Sequence, residues 1–224
     1  MKKVLVLALI LLGQIALAQE PITKDVGDFQ KIKVFDRIVV SLIKAESPKV
    51  VITGADSEDV NIINKDGLLK VRMEIDKIFN GDDTFVKIYY TNLELIDGNE
   101  GSRISTEGTL QQGNIELRAQ EGAVIKADLK VKKASMRAVT GGIIETYGTA
   151  DKQQIEINTG GVYSGKNLET FDTSVRVQAG GEVEINAARL ADVKIRAGGN
   201  VDIYGNPKEI KQNTFVGGKI REMN

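Results

Sequence analysis

The chain has 224 residues, with 30 Lys and Arg against 31 Asp and Glu, and it contains neither histidine nor cysteine. Ser-His-Asp and Cys-His catalysis, His-ligated zinc and disulfides are therefore excluded. A formal net charge of −1 gives no general attraction to nucleic acid or to an anionic membrane.

Met1-Lys2-Lys3 is a short basic start, Val4 to Leu17 is nearly all apolar, and Ala16-Leu17-Ala18 fits the small-x-small cleavage rule. Residues 1–18 read as a secretory signal peptide cut before Gln19. The apolar run is shorter than the roughly 20 residues needed to cross a bilayer. Of the 30 basic residues, Lys2 and Lys3 lie in this segment, which leaves 28 against 31 acids and a net charge of −3. The mature chain is expected in the periplasm or at the cell surface, with no transmembrane segment and no cysteine for a lipid anchor.

Residues 19–28 are polar and read as a flexible lead-in. Residues 29–224 read as one domain, an N-terminal part over 29–97 and a repeat ladder over 98–220. Strands are expected at 32–34, 38–43 and 49–53, bounded by turns such as Glu46-Ser47-Pro48 and Gly54-Ala55-Asp56. Residues 56–63 have room for a helical turn. Leu68 to Met73 and Phe85 to Tyr90 read as two more strands, and Asn80-Gly81 between them suggests a hairpin.

From Gly101 a small-residue pair recurs: Gly101-Ser102, Glu121-Gly122, Gly141-Gly142, Gly160-Gly161, Gly180-Gly181, Gly198-Gly199 and Gly217-Gly218. The second members are spaced 20, 20, 19, 20, 18 and 19 residues apart. A period of this length marks a stacked repeat fold. Two residues after each pair stands an apolar side chain: Ile104, Val124, Ile144, Tyr163, Val183, Val201 and Ile220. Before the pairs, apolar and polar residues alternate, as in Ile155-Glu156-Ile157-Asn158. That period of two belongs to strands with one wet and one buried face. The expected fold is all-β: a parallel β-helix, or β-solenoid, with coils of about 20 residues rising about 4.8 Å each, and an irregular, partly antiparallel N-terminal cap. The glycines mark corners where a left-handed φ or the absence of Cβ is needed.

Several segments together resemble the bacterial head GIN domain family of autotransporter-adhesin type. They are Phe29-x-x-Ile32-x-Val34, Ile38-Val39-Val40, Val50-Val51-Ile52-Thr53-Gly54 and Asp66-Gly67-Leu68-Leu69-Lys70-Val71. Val86-Lys87-Ile88-Tyr89-Tyr90 with Leu93 and Ile96, the Gly-Gly coils, and Gly205-Asn206-Pro207-Lys208 complete the likeness. The resemblance implies a right-handed β-helix in secreted or envelope proteins of Gram-negative bacteria, with a role in adhesion. Many relatives look like lipoproteins, and this chain departs from them in lacking the cysteine.

No phosphate-binding loop appears, and no cofactor is implied. Calcium-binding nonapeptide repeats need Gly-Gly-x-Gly-x-Asp, which Gly180-Gly181-Glu182-Val183 and Gly198-Gly199-Asn200-Val201 do not supply. Stacking places Glu145, Ser164, Glu184 and Asp202 in one outward column, with Glu182 and Asn200 beside it. Glu184 and Asp202 then stand at the separation of a retaining glycosidase pair or of an oxygen-rich calcium site; the plainer reading is a solvated strand face. A second column, Arg137, Glu156, Arg176 and Lys194, with Asn158, Gln178 and Arg196 alongside, reads as cross-strand charge pairing or as a sugar- or polyanion-binding face. Tyr163 falls on a core position.

The C-terminal residues after Ile220 are too few to cover the last coil, so a homo-oligomer or a docked envelope partner is expected at that end. The expected function is a non-enzymatic binding or structural module of the cell envelope, an adhesin acting on an envelope protein or glycan. The alternative is a polysaccharide-binding or polysaccharide-active β-helix that uses its surface carboxylates.

Overall fold

The structure is a computed structural model that describes residues 20–223; the signal peptide expected over 1–18 lies outside them. Five long strands carry the ladder: β9 (Arg103–Gln120), β10 (Val124–Val139), β11 (Ile143–Asn158), β12 (Val162–Val177) and β13 (Glu182–Ala197). Each is nearly a whole coil and pairs in parallel with the next. A last full coil is built from β14 (Asn200–Tyr204) and β15 (Glu209–Val216), and β16 (Lys219–Glu222) lies on β14 as the start of a further one. The result is a parallel β-solenoid of about 7 turns with coils of about 19 residues.

Inside, like residues stack on like. Ile104, Ile125, Ile144, Tyr163, Val183, Val201 and Ile220 are consecutive register partners. Leu117, Met136, Ile155, Val175 and Val193 form a second inward column. All but Ile220 are buried, and each such side chain contributes about 1.5–3 kcal/mol. One phase was misjudged from the sequence. Ile125, not Val124, joins the first column, because the corner there is Gly122-Ala123 rather than Glu121-Gly122.

The corners explain the pairs. Gly142 N–H donates to Val139 O at 2.9 Å, and Thr140 and Gly141 have φ of 50° and 71°. Two successive left-handed residues closed by that bond make a type I′ turn. Asn158 to Gly161 repeats it, with a 3.2 Å bond and φ of 50° and 72°. The second glycine serves another purpose: a Cβ on Gly142 would lie 2.1 Å from Ala119 O in the coil below. A further corner falls where the inward alternation slips by one, at Lys132 and Lys133, both exposed between buried Val131 and Ala134. Each coil thus has a first run after the glycine corner and a last run before the next one.

The N-terminal part continues the same stack, out of chain order. β2 (Lys31–Val34) and β3 (Val39–Lys44) form one coil lying on β8 (Leu95–Gly98) and β9. β6 (Leu68–Met73) and β7 (Thr84–Tyr90) form the next coil outward, parallel to β2 and β3. Antiparallel strands close the end: β5 (Val60–Lys65) on β6, β4 (Lys49–Gly54) on β7, and β1 (Ile22–Lys24) on β4.

Two expectations change here. The lead-in holds a strand, β1. The hairpin expected at Asn80-Gly81 does not form, because β6 and β7 lie on different runs of one coil. Gly81 instead passes against the Asp36 corner, donating its N–H to Asp36 O at 3.0 Å; a Cβ there would be 2.4 Å from that oxygen. The true hairpin is β5–β6, turned at Asp66-Gly67 with φ of 53° and 75° and Lys65 opposite Leu68. A short 3-10 turn at Ser57–Asp59 occupies the place expected for a helical turn.

Candidate functional site

The acidic column lies on the first run. Glu145, Ser164, Glu184, Asp202 and Arg221 are consecutive register partners, and Glu182 is opposite Asn200. The acids are engaged by neighbouring coils. Asp202 receives both Arg221 Nε at 2.6 Å and Arg221 Nη2 at 2.7 Å. Lys126 Nζ lies 3.0 Å from Glu145, and Tyr204 OH reaches Glu184 at 3.5 Å. The hydrogen bond that Arg221 donates to Asp202 raises the Arg221 pKa. Among the described residues, no group of three or more carboxylates gathers as for a metal ion. With both Asp202 oxygens held by a guanidinium, the arrangement suits ladder pairing better than nucleophilic attack.

The basic candidates lie on the last run, so the six candidate residues do not form one site. Arg137, Glu156, Arg176, Lys194 and Asn213 are consecutive partners. Arg176 and Lys194 line an open cleft of about 360 Å³ together with Gln178, Arg196, Asn213 and Phe215. Lys194 approaches Asp192 at 3.4 Å. Among the described residues, Arg137, Arg176 and Arg196 have no carboxylate within ion-pair distance. Gln178 and Arg196 were legible as neighbours. Phe215, 81 % exposed, was not, because its place at the cleft depends on the register of the last coil.

A buried polar centre in the cap escaped the sequence reading. Asp36 is fully buried. Its carboxylate accepts the Met73 N–H at 3.0 Å and the Phe79 N–H at 3.3 Å, and Arg72 Nε lies 3.9 Å away. Glu100 stands beside it. Burial, then the hydrogen bond with Asp36 and the Asp36 charge, raise the Glu100 pKa, while Arg72 pulls the other way. Asp36, Arg37, Phe79 and Glu100 all have left-handed φ, an uncommon concentration for residues other than glycine. No spacing rule links positions 36, 72 and 100 in the sequence.

A family model described as "Putative auto-transporter adhesin, head GIN domain" matches residues 28–207. Among solved structures, a "putative adhesin" from Bacteroides fragilis NCTC 9343 is 19 % identical with a TM-score of 0.83, covering 92 % of this chain and 98 % of that one. A "putative adhesin" from Parabacteroides merdae ATCC 43184 is 18 % identical with a TM-score of 0.70, covering 92 % and 96 %. A "Putative lipid binding protein" from Parabacteroides distasonis ATCC 8503 is 15 % identical with a TM-score of 0.69, also covering 92 % and 96 %. At these identities the likeness is one of fold. No curated protein matches the sequence. The family match spans most of the β-solenoid, from the cap to the last coil, and the chain belongs to the head GIN domain family.

Proposed function

We propose that the chain is an exported, non-enzymatic binding module of the cell envelope, of adhesin type. One observation carries the reading. The last run of the coils forms a continuous, wet, hydrogen-bonded sheet on which, among the described residues, Arg137, Arg176 and Arg196 have no carboxylate partner, while Asp202 of the acid pair on the first run is held by Arg221. A stacked sheet is rigid, so a partner is met by side chains already in place. No loop interrupts β10 to β13 to wall a cleft around a scissile bond.

The test is a side-by-side assay. Residues 19–224 are presented to a glycan array and to envelope extract, and the bound glycans are then checked for new reducing ends. Binding without turnover is expected. Turnover abolished by Glu184→Gln overturns the reading in favour of a polysaccharide-active enzyme. Export is checked by expressing the full chain in a Gram-negative host, where the mature protein is expected to begin at Gln19.

A further inference from the structure

The last run carries more than the cleft at its end. Three outward columns cross it. Along the corner stand Lys133 and Lys152, register partners of one another. Two residues on, Ser135, Gln154 and Ser174 stack directly over each other. Two residues further stand Arg137 and Arg176, with Glu156 between them. Successive outward positions on a strand are about 7 Å apart and successive coils about 4.8 Å. A floor of short hydroxyl and amide side chains is therefore flanked by two cationic rims, and it runs along the solenoid axis. Hollows in this surface are lined by Ser135, Arg137, Gln154 and Glu156 with Glu116 at the edge, and by Lys133, Lys152, Gln154 and Ser174 with Asp172 and Asp192 beside them.

The charges on this track are available. Among the described residues, Lys133, Lys152, Arg137 and Arg176 make no ion pair. The neighbouring acids are largely committed: Asp172 is held by both Nε and Nη2 of Arg189, which lowers its pKa, and Asp192 lies 3.4 Å from Lys194. Glu156 remains and offsets part of the Arg137 and Arg176 charge. Both rims together stay positive on a chain that is negative overall.

We infer that this track binds a linear acidic polysaccharide, its anionic groups on the two rims and its hydroxyls on Ser135, Gln154 and Ser174. This rests on the binding-module reading and deepens it. The chemistry favours a glycan over other polyanions. Single-stranded nucleic acid needs a row of aromatic platforms, and a protein partner needs buried aromatic or aliphatic anchors. The floor has neither: the exposed aromatics of the ladder are Tyr147, Phe171 and Phe215, none of them in it. A linear polymer also suits a surface whose outward positions recur at the coil spacing along the axis. Free carboxylates and sulfate esters meet the rims equally well, so the choice between them is left to the experiment.

Residues 19–224 are titrated with polygalacturonate, heparin, neutral dextran and a poly-glutamate peptide at low and moderate salt. Binding to polygalacturonate or heparin, weakened by salt, is expected, with none to dextran. Polygalacturonate alone marks a uronate site and heparin alone a sulfate site. Arg137→Ser with Arg176→Ser, and separately Lys133→Ser with Lys152→Ser, are expected to weaken binding at least tenfold with an unchanged melting temperature. Lys126→Ser, which removes a cation from the first run, leaves it unchanged. Absence of binding to both acidic glycans, equal weakening by Lys126→Ser, or equal affinity for poly-glutamate overturns the inference. If the chain still binds array glycans or envelope extract in that case, the binding-module reading stands without this site.

Discussion

The ring of Tyr163 occupies the space that a Cβ on Gly165 would need: the built position lies 2.3 Å from Tyr163 Cε1 and 2.3 Å from its hydroxyl oxygen. In the next coil the register partners are Val183 and Ile185. A large residue beside none thus replaces two of middle size, and core volume is conserved. The Tyr163 hydroxyl lies 2.6 Å from Thr146 Oγ1 and also accepts from Gln153 Nε2, so a small polar cluster sits inside the solenoid.

Gly165→Ala is expected to destabilise the protein by about 3 kcal/mol, since neither ring nor backbone can move away. Tyr163→Phe costs about 1–3 kcal/mol by leaving the buried Gln153 Nε2 without its acceptor. Gly165→Ala combined with Tyr163→Val is expected to cost less than the sum of the single changes, because the clash and its cause go together. Urea unfolding curves of the unchanged protein, of Gly165→Ala, Tyr163→Phe and Tyr163→Val singly, and of the double variant measure this.

The two glycines of a corner are predicted to differ. Gly160 has φ of 72° and open space around it, whereas a Cβ on Gly161 would meet Ala138 O at 2.2 Å. Gly160→Ala costs about 1 kcal/mol for the left-handed backbone, and Gly160→Asn less, because Asn tolerates that region. Gly161→Ala forces adjacent coils apart and is expected to cost more than either. Thermal melts of the three variants give the order.

The cap is predicted to respond to pH through Glu100. Its pKa is raised in the folded state, so the protonated carboxyl fits the fold better than the charged one. The sign follows from linkage. The stability Glu100 contributes is fully present below the ordinary carboxyl range and is lost as pH rises through the raised value. Glu100→Gln is expected to stabilise the protein near neutral pH, with the advantage shrinking as pH falls toward about 4.3. Denaturation at a series of pH values for both proteins checks it; an advantage that grows on acidification contradicts it.

What the sequence carried and what it withheld have physical causes. A solenoid repeats one environment, so Gly141, Gly160 and Val183 each announce their role by recurrence, and Tyr163 was legible as core by the column it shares. Recurrence fails where the repeat is broken. Ala123 replaces the second glycine of its corner, and that one substitution shifted the reading to Val124. In the cap, coils stack out of chain order, so Asn80-Gly81 looked like a hairpin while Asp66-Gly67 makes one. The buried Asp36 and Glu100 meet only through that stacking. On the surface, Arg176 and Lys194 emerged as neighbours because strand period and coil period together fix them. That the two candidate sets face different ways depends on the corner at Lys132 and Lys133, whose slip of one residue is visible only once the coils are aligned.

The central claim is that equivalent residues of successive coils lie directly over one another, and a chain without cysteine allows a clean measurement of it. Ser164 is the register partner of Glu184, and Glu184 of Asp202. Adjacent partners lie about 4.8 Å apart, inside the range of roughly 4.4–6.8 Å that a disulfide spans, and partners two coils apart lie at about twice that spacing. Oxidation of Ser164→Cys with Glu184→Cys is expected to form an intramolecular disulfide readily, and Ser164→Cys with Asp202→Cys is expected not to. Failure of the first pair, or equal cross-linking by the second, contradicts the stacked-coil account.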